Sequence, residues 1–241
     1  MALNQIDKLE DIAACIAEGR KPRQYGPYRI MIGDADLKFL DVRIDDPVPT
    51  GRQVLEKADL HPATDYLLFA WQKDRVLDMI RLDETVDIFH RGVEKFLVFH
   101  SDRSFLFVLD DRRFTWGAPT ILGRVLKALA GVDAEKHGVW VEQQDKADRL
   151  VADDESVSLA GDVLERFRTA PIFLVCIEDK DYYWPKDTIT TEEIAGLGGW
   201  DSSEGVIEVD AEQNERQLSP LEVVTLKPGL AYGKKLCWRR G

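Results

Sequence analysis

The residues best suited to chemistry are the last eight, Lys234-Lys-Leu-Cys-Trp-Arg-Arg-Gly241. Glycine has no Cβ, so another enzyme's active site can close on its backbone, and a terminal carboxylate there is a group that can react. Four bases and no acid give this segment a charge of +4. Such a charge is drawn to an acidic groove on a partner, or equally to the chain's own acidic body. Taken by itself the segment reads as a frayed basic terminus, as most termini do. Cys237 beside Trp238 reads as an exposed bystander rather than a nucleophile.

The rest of the chain carries no catalytic set. The histidines, His61, His90, His100 and His137, are scattered and none lies in H-E-x-x-H. No glycine-rich phosphate loop follows a strand, and no serine sits in G-x-S-x-G. The carboxylate groups Asp83-Glu84 and Asp153-Asp-Glu155 fall at turns before strands, where acids sit in solvent. Trp71, Trp116, Trp140, Trp184 and Trp200 lie in or beside predicted strands and helices, as core or sheet-face packing. The chain is therefore not expected to be an enzyme, and no cofactor or metal of its own is expected.

Composition narrows the partners. With 241 residues, 44% of them hydrophobic and 32% charged, the chain reads as globular. A net charge of −12 argues against general binding to nucleic acid or to an anionic membrane. No apolar run is long enough to span a bilayer, and the short patch Ile12–Ala17 lacks the basic lead of a signal peptide. Three widely spaced cysteines, Cys15, Cys176 and Cys237, suit a reducing cytoplasm. Charge is uneven: residues 172–233 hold 13 Asp and Glu against 4 Lys and Arg, and the basic segment 234–241 follows directly.

The elements that must position this terminus repeat. Ile6, Leu9, Ile12, Ala13 and Ile16 mark an amphipathic helix over 6–18, with Gly19 as its cap. Strands are then predicted at Tyr28–Ile32 and Lys38–Ile44, a helix at 50–58 capped by Thr50, and strands at 65–70, 76–80, 85–90 and 94–99. The order restarts with the hairpin 105–109/113–116, a helix over 122–130 closed by Gly131, and a strand at 138–142. Asp154-Glu-Ser-Val157 repeats Asp83-Glu-Thr-Val86 at a spacing of 71, and Glu165-Arg-Phe167 repeats Glu94-Lys-Phe96 in the same register. A looser third copy has a hairpin at 172–177/181–184, a glycine-weakened helix at 190–197, and strands at 204–210 and 221–226, ended by Lys227-Pro-Gly229. Segments 1–24, 25–102, 103–171 and 172–241 follow, with a tail over 234–241. One helix laid on a mixed sheet is an α+β plan of the β-grasp kind. Joints this short suggest a stiff row of three such domains after an N-terminal helix.

Tandem units with Thr50-Gly-Arg-Gln-Val-Leu55 and Asp83-Glu-Thr-Val86, repeated as Leu122-Gly-Arg-Val-Leu126 and Asp154-Glu-Ser-Val157, resemble the bacterial multi-ubiquitin proteins. The third copy keeps only Thr190-Thr-Glu-Glu-Ile194 and Pro228-Gly229. The resemblance covers about residues 25–241. It implies a ubiquitin-like modifier: an activating enzyme adenylates the Gly241 carboxylate with ATP, and the acyl group passes to an enzyme nucleophile and then to an amine on a target protein. It also implies a conjugating enzyme, a metal-dependent deconjugating isopeptidase and a link to antiviral defence. Arg239 and Arg240 would supply fixed positive charge for steering and bidentate pairing, and Leu236 and Trp238 apolar anchors. Ubiquitin-type tails usually end in two glycines; here Arg240 precedes Gly241, so the partner's channel must accept a side chain. The alternatives are a non-covalent scaffold that binds through sheet faces, and a sulfur carrier with a C-terminal thiocarboxylate.

Overall fold

The structure, a computed structural model, describes residues 9–88, 93–143 and 148–235, of Glu94 the backbone only. It divides into two compact units: Met1–Ala134 with Val139–Thr169, and Glu135–Gly138 with Ala170–Gly241. Among the described residues no helix is long and apolar enough to cross a membrane.

The first unit opens with β1 (Glu10–Asp11) and α1 (Ile12–Glu18). The helix starts later than the apolar spacing predicts. Asp11 caps it by accepting the Ala14 N–H at 3.2 Å, and Glu10 and Asp11 pair in parallel with β2 instead. Gly19 ends it at φ 65°. Ile12 and Cys15 are buried. Residues 6–8 lie outside the described residues.

The first sheet follows: β2 (Tyr28–Gly33), β3 (Phe39–Ile44), α2 (Gly51–Lys57), β4 (Tyr66–Gln72), β5 (Leu77–Ile80) and β6 (Val93–His100). Thr50 and Gln53 form a reciprocal capping box at the start of α2. The order is β1-β2-β6-β4-β5, with β3 paired to β2. β2 runs parallel to β6, and β4 antiparallel to it. Leu68, Ala70 and Phe96 form a core with Val54 and Leu55 of α2. The expected strand at 85–90 is reduced to a single bridge, Thr50 with Thr85; residues 89 and 90 are outside the described set.

The second sheet repeats the plan: β7 (Phe105–Leu109), β8 (Arg112–Trp116), β9 (Thr120–Leu122), α3 (Gly123–Ala130), β10 (His137–Val141), β11 (Arg149–Val151), β12 (Ser156–Ser158) and β13 (Glu165–Pro171). The order is β11-β10-β13-β7-β8, with β9 and β12 paired apart from it. β13 is parallel to β7, as β6 is to β2.

Besides its own core with α2, the first sheet shares the core of the second. Strand alternation puts Phe69, Trp71, Leu97 and Phe99 on the first sheet's other face, and these pack into one cluster with Phe107, Phe114, Trp116, Leu126 and Phe167 of the second. The Phe99 ring meets Phe69 edge-on at 5.4 Å and Trp116 at 4.7 Å. It lies so close to Gly117 that a Cβ there would come within 2.4 Å of the ring. Arg75 donates to the Ala130 carbonyl at 2.9 Å, and Arg112 to that of Asp74 at 3.3 Å, closing the edge of the contact.

The second unit carries β14 (Phe173–Ile177), β15 (Lys180–Trp184), β16 (Thr188–Thr190), α4 (Thr191–Gly198), β17 (Val206–Val209), β18 (Glu215–Gln217), β19 (Val223–Thr225) and β20 (Ala231–Lys234). The order is β15-β14-β20-β17-β18, with β16 paired to β19. α4 forms despite Gly196 and Gly198. Thr190 and Glu193 make a capping box, and Ile194 and Ala195 enter a core with Val175, Ile177, Val206 and Tyr232. The central strand β20 was not expected: Pro228-Gly229 reads as the end of the unit, yet it precedes that strand.

Candidate functional site

The β20 strand is the element that presents the C-terminal segment. It lies between β14, to which it is parallel, and β17, to which it is antiparallel. The residues after it are seated from both sides. The Lys234 N–H donates to the Glu178 carboxylate at 2.6 Å, and the Lys235 N–H to the Gly205 carbonyl at 3.1 Å. The Lys234 ammonium pairs with Glu204, and that of Lys235 donates to the Gln217 amide oxygen at 2.7 Å. The sequence reading starts the tail at Lys234. In the structure Lys234 closes β20, paired with Val206, and the Lys235 N–H is held by the Gly205 carbonyl, so the ordered strand runs past the expected start of the tail. Leu236, Trp238, Arg239, Arg240 and Gly241, together with Cys237, lie outside the described residues.

Tyr232, on the inner face of the same strand, is 2% exposed. Burial, and then the nearby Glu208, push its phenol up to about 12. Arg216 spans Glu208 at 3.0 Å and Glu222 at 2.5 Å, so its charge is committed within the unit. Beside β20, a groove of about 570 Å³ is lined by Phe173, Leu174, Cys176, Leu226, Pro228 and Leu230. Leu174 and Tyr183 stand exposed on this sheet.

The carboxylates that could have suggested acid–base chemistry serve the fold. Glu84 accepts the Arg81 N–H at 3.3 Å, Glu155 that of Ala152 at 3.2 Å, and Glu222 that of Ser219 at 2.8 Å. Each closes the turn three residues behind it. In each case the same residue's carbonyl takes the first helical N–H: Gly51 at 3.0 Å, Gly123 at 3.1 Å and Thr191 at 3.0 Å. Leu221-Glu-Val-Val224 therefore stands where the first two copies have Asp-Glu-x-Val. Sequence matching missed it because only the Glu and the final Val are shared. Trp116 and Trp184 likewise donate to the carbonyls of Thr120 and Thr188, at 3.1 and 2.8 Å.

For Glu155 and Glu222 the neighbours favour the ionised form. The Arg149 guanidinium holds Glu155 below the usual carboxylate range, and the Ser219 N–H, followed by Arg216, does the same for Glu222. Lys127, 6% exposed, is neutralised by Asp153 at 2.6 Å and donates to the Ala134 carbonyl. Burial, with Glu10 accepting from its Sγ at 3.1 Å, pushes the Cys15 thiol up to about 11. Burial, then Asp181, raises Cys176. Both thiols are thus poor nucleophiles. Among the described residues no group of three or more His, Cys, Asp and Glu is placed to hold a metal.

Two known-protein comparisons bear on this arrangement. The family model described as Multiubiquitin matches residues 36–101 and again 105–172, together more than half of the chain. No curated protein matches it.

Proposed function

Since the chain belongs to the multiubiquitin family, we propose that it is a ubiquitin-like protein modifier. In this reading residues 25–102, 103–171 and 172–241 are three β-grasp domains behind an N-terminal helix, and conjugation proceeds through the Gly241 carboxylate. The observation that carries the reading is the placement of β20: the middle strand of the last sheet leads straight into the basic segment that ends in Arg239-Arg240-Gly241. The repeated turn carboxylates Glu84, Glu155 and Glu222 support counting the third sheet with the first two.

The chemistry is acyl transfer. The Gly241 carboxylate attacks the α-phosphorus of ATP in an activating enzyme and expels pyrophosphate. An enzyme nucleophile then displaces AMP, and an amine on the target displaces that nucleophile. The modifier supplies only the carboxylate. Arg239 and Arg240 steer the segment to acidic residues of the partners, and Leu236 and Trp238 anchor it. A conjugating enzyme and a metal-dependent isopeptidase complete the bacterial pathway, which runs in the cytoplasm and serves antiviral defence. Incubating the chain with its cognate activating enzyme, ATP and labelled pyrophosphate yields label in ATP; deleting Gly241 abolishes it. Equal exchange by the deletion variant sinks the proposal.

The groove beside β20, with Leu174 exposed at its side, favours a second reading in which the chain is a non-covalent adaptor. That reading expects a chain lacking 236–241, the residues beyond the hydrogen-bonded end of β20, to retain its cellular role.

A further inference from the structure

Two hairpin turns in the chain share a device. In the second sheet the β7–β8 turn holds Asp110 and Asp111 at φ 49° and 60°; in the third, the β14–β15 turn holds Glu178 and Asp179 at 48° and 59°. Each turn begins where a strand stops pairing in parallel with the last strand of its sheet. The Asp110 N–H donates to the Phe167 carbonyl at 3.0 Å, and the Glu178 N–H to that of Tyr232 at 2.9 Å. In a continuing parallel ladder the next rung would run from Thr169 or Lys234 back to the main-chain carbonyl of Asp110 or Glu178. The chain has turned left-handed there, and the side-chain carboxylate takes the rung. Thr169 N–H donates to Asp110 at 2.6 Å, and Lys234 N–H to Glu178 at 2.6 Å. The Thr169 hydroxyl adds a second bond to Asp110 at 2.8 Å.

The two clamped positions lie near the ends of the last strands of the second and third sheets: Thr169 ahead of the third segment, and Lys234 ahead of the C-terminal residues. Beyond Lys235 six residues remain, which span at most about 20 Å when fully extended. Over so short a reach, the position of the anchored end of β20 limits where Gly241 can go.

We propose that Glu178 is a positioning residue for the acyl donor: by holding the Lys234 N–H, while the Gly205 carbonyl holds that of Lys235, it fixes the end of β20 from which the chain continues to Gly241. This rests on the reading of Gly241 as the conjugated residue. The carboxylate touches no reacting atom. It acts by removing orientational freedom before the activating enzyme binds, so its loss appears in binding rather than in the chemical step.

The test uses the full chain and the variants Glu178→Ala and Glu178→Gln, with two readouts. The first is amide hydrogen exchange. A hydrogen bond to a charged acceptor contributes enough that its loss should speed exchange at Lys234 about tenfold, while α4 amides stay unchanged and report an intact fold. The second is pyrophosphate exchange with the cognate activating enzyme. Glu178→Ala raises KM for the chain severalfold and leaves kcat unchanged; Glu178→Gln, which keeps an acceptor oxygen, restores KM. Unchanged exchange at Lys234 in Glu178→Ala overturns the clamp. Faster exchange at Lys234 with KM unaltered overturns the positioning role. No pyrophosphate exchange by the unmodified chain defeats the modifier reading itself and this role with it, while the amide arm still decides whether the clamp exists.

Discussion

Replacing Phe99 with alanine tests whether the first two sheets fold as one body. Phe99 is 4% exposed and sits on the face of β6 opposite α2, between Phe69 at 5.4 Å and Trp116 at 4.7 Å. Truncating a buried Phe to Ala costs about 3–5 kcal/mol, and each lost aromatic pair is worth about 0.5–1.5 kcal/mol beyond burial alone. The whole-substitution cost already contains those pairs, so a total of about 4 kcal/mol, with a urea slope of about 2 kcal/mol per molar, lowers the midpoint by about 2 M. The distinguishing claim is where the loss appears. If Phe69, Phe99 and Trp116 belong to one cooperative core, amides of α2 and α3 lose protection together. Hydrogen exchange in a urea series reads both helices in one sample. A loss confined to one helix, or a total below about 1 kcal/mol, would refute the shared core.

Two further outcomes follow from local geometry. Gly123→Ala places a Cβ 2.2 Å from the Ala152 carbonyl oxygen, so thermal melts should show a loss of about 2–3 kcal/mol; Gly196→Ala, which meets nothing within 4 Å inside α4, should gain about 0.5–1 kcal/mol. Glu155 is held below its ordinary value of 4.5 by Arg149, so the stability it contributes is present above pH 4.5 and is lost as pH falls through its lowered native value. Melting temperatures from about pH 6 to about pH 3 should fall more steeply for the unmodified chain than for Glu155→Gln, and parallel curves would count against the pairing.

Much of the fold was legible because burial is periodic. The alternation in Tyr28–Gly33 and the caps Thr50, Gly19 and Gly131 mark elements that form close to where the sequence places them. What was not legible depended on long-range pairing. β20 is four residues, Ala-Tyr-Gly-Lys, with one buried side chain and a glycine, too little local signal to stand out after Pro228-Gly229. β11 and β18 are three-residue edge strands defined only by their partners. The strand expected at 65–70 forms as Tyr66–Gln72, but its sequence did not tell that its second face is covered by the next repeat. At the candidate site the Gly241 carboxylate is a sequence expectation that lies outside the described residues, and the Glu178 clamp was not legible at all. Its partner Lys234 lies 56 positions away, and only the turn at Asp110 offers a parallel.

The covering of Phe69, Trp71, Leu97 and Phe99 by the second sheet bears on how partners can count this chain. A reader of sheet faces that gained avidity by engaging one face per repeat would find the first already taken. Effective concentration rises only with sites that can be occupied at once, so the valency of the array for such a reader is lower than its number of repeats.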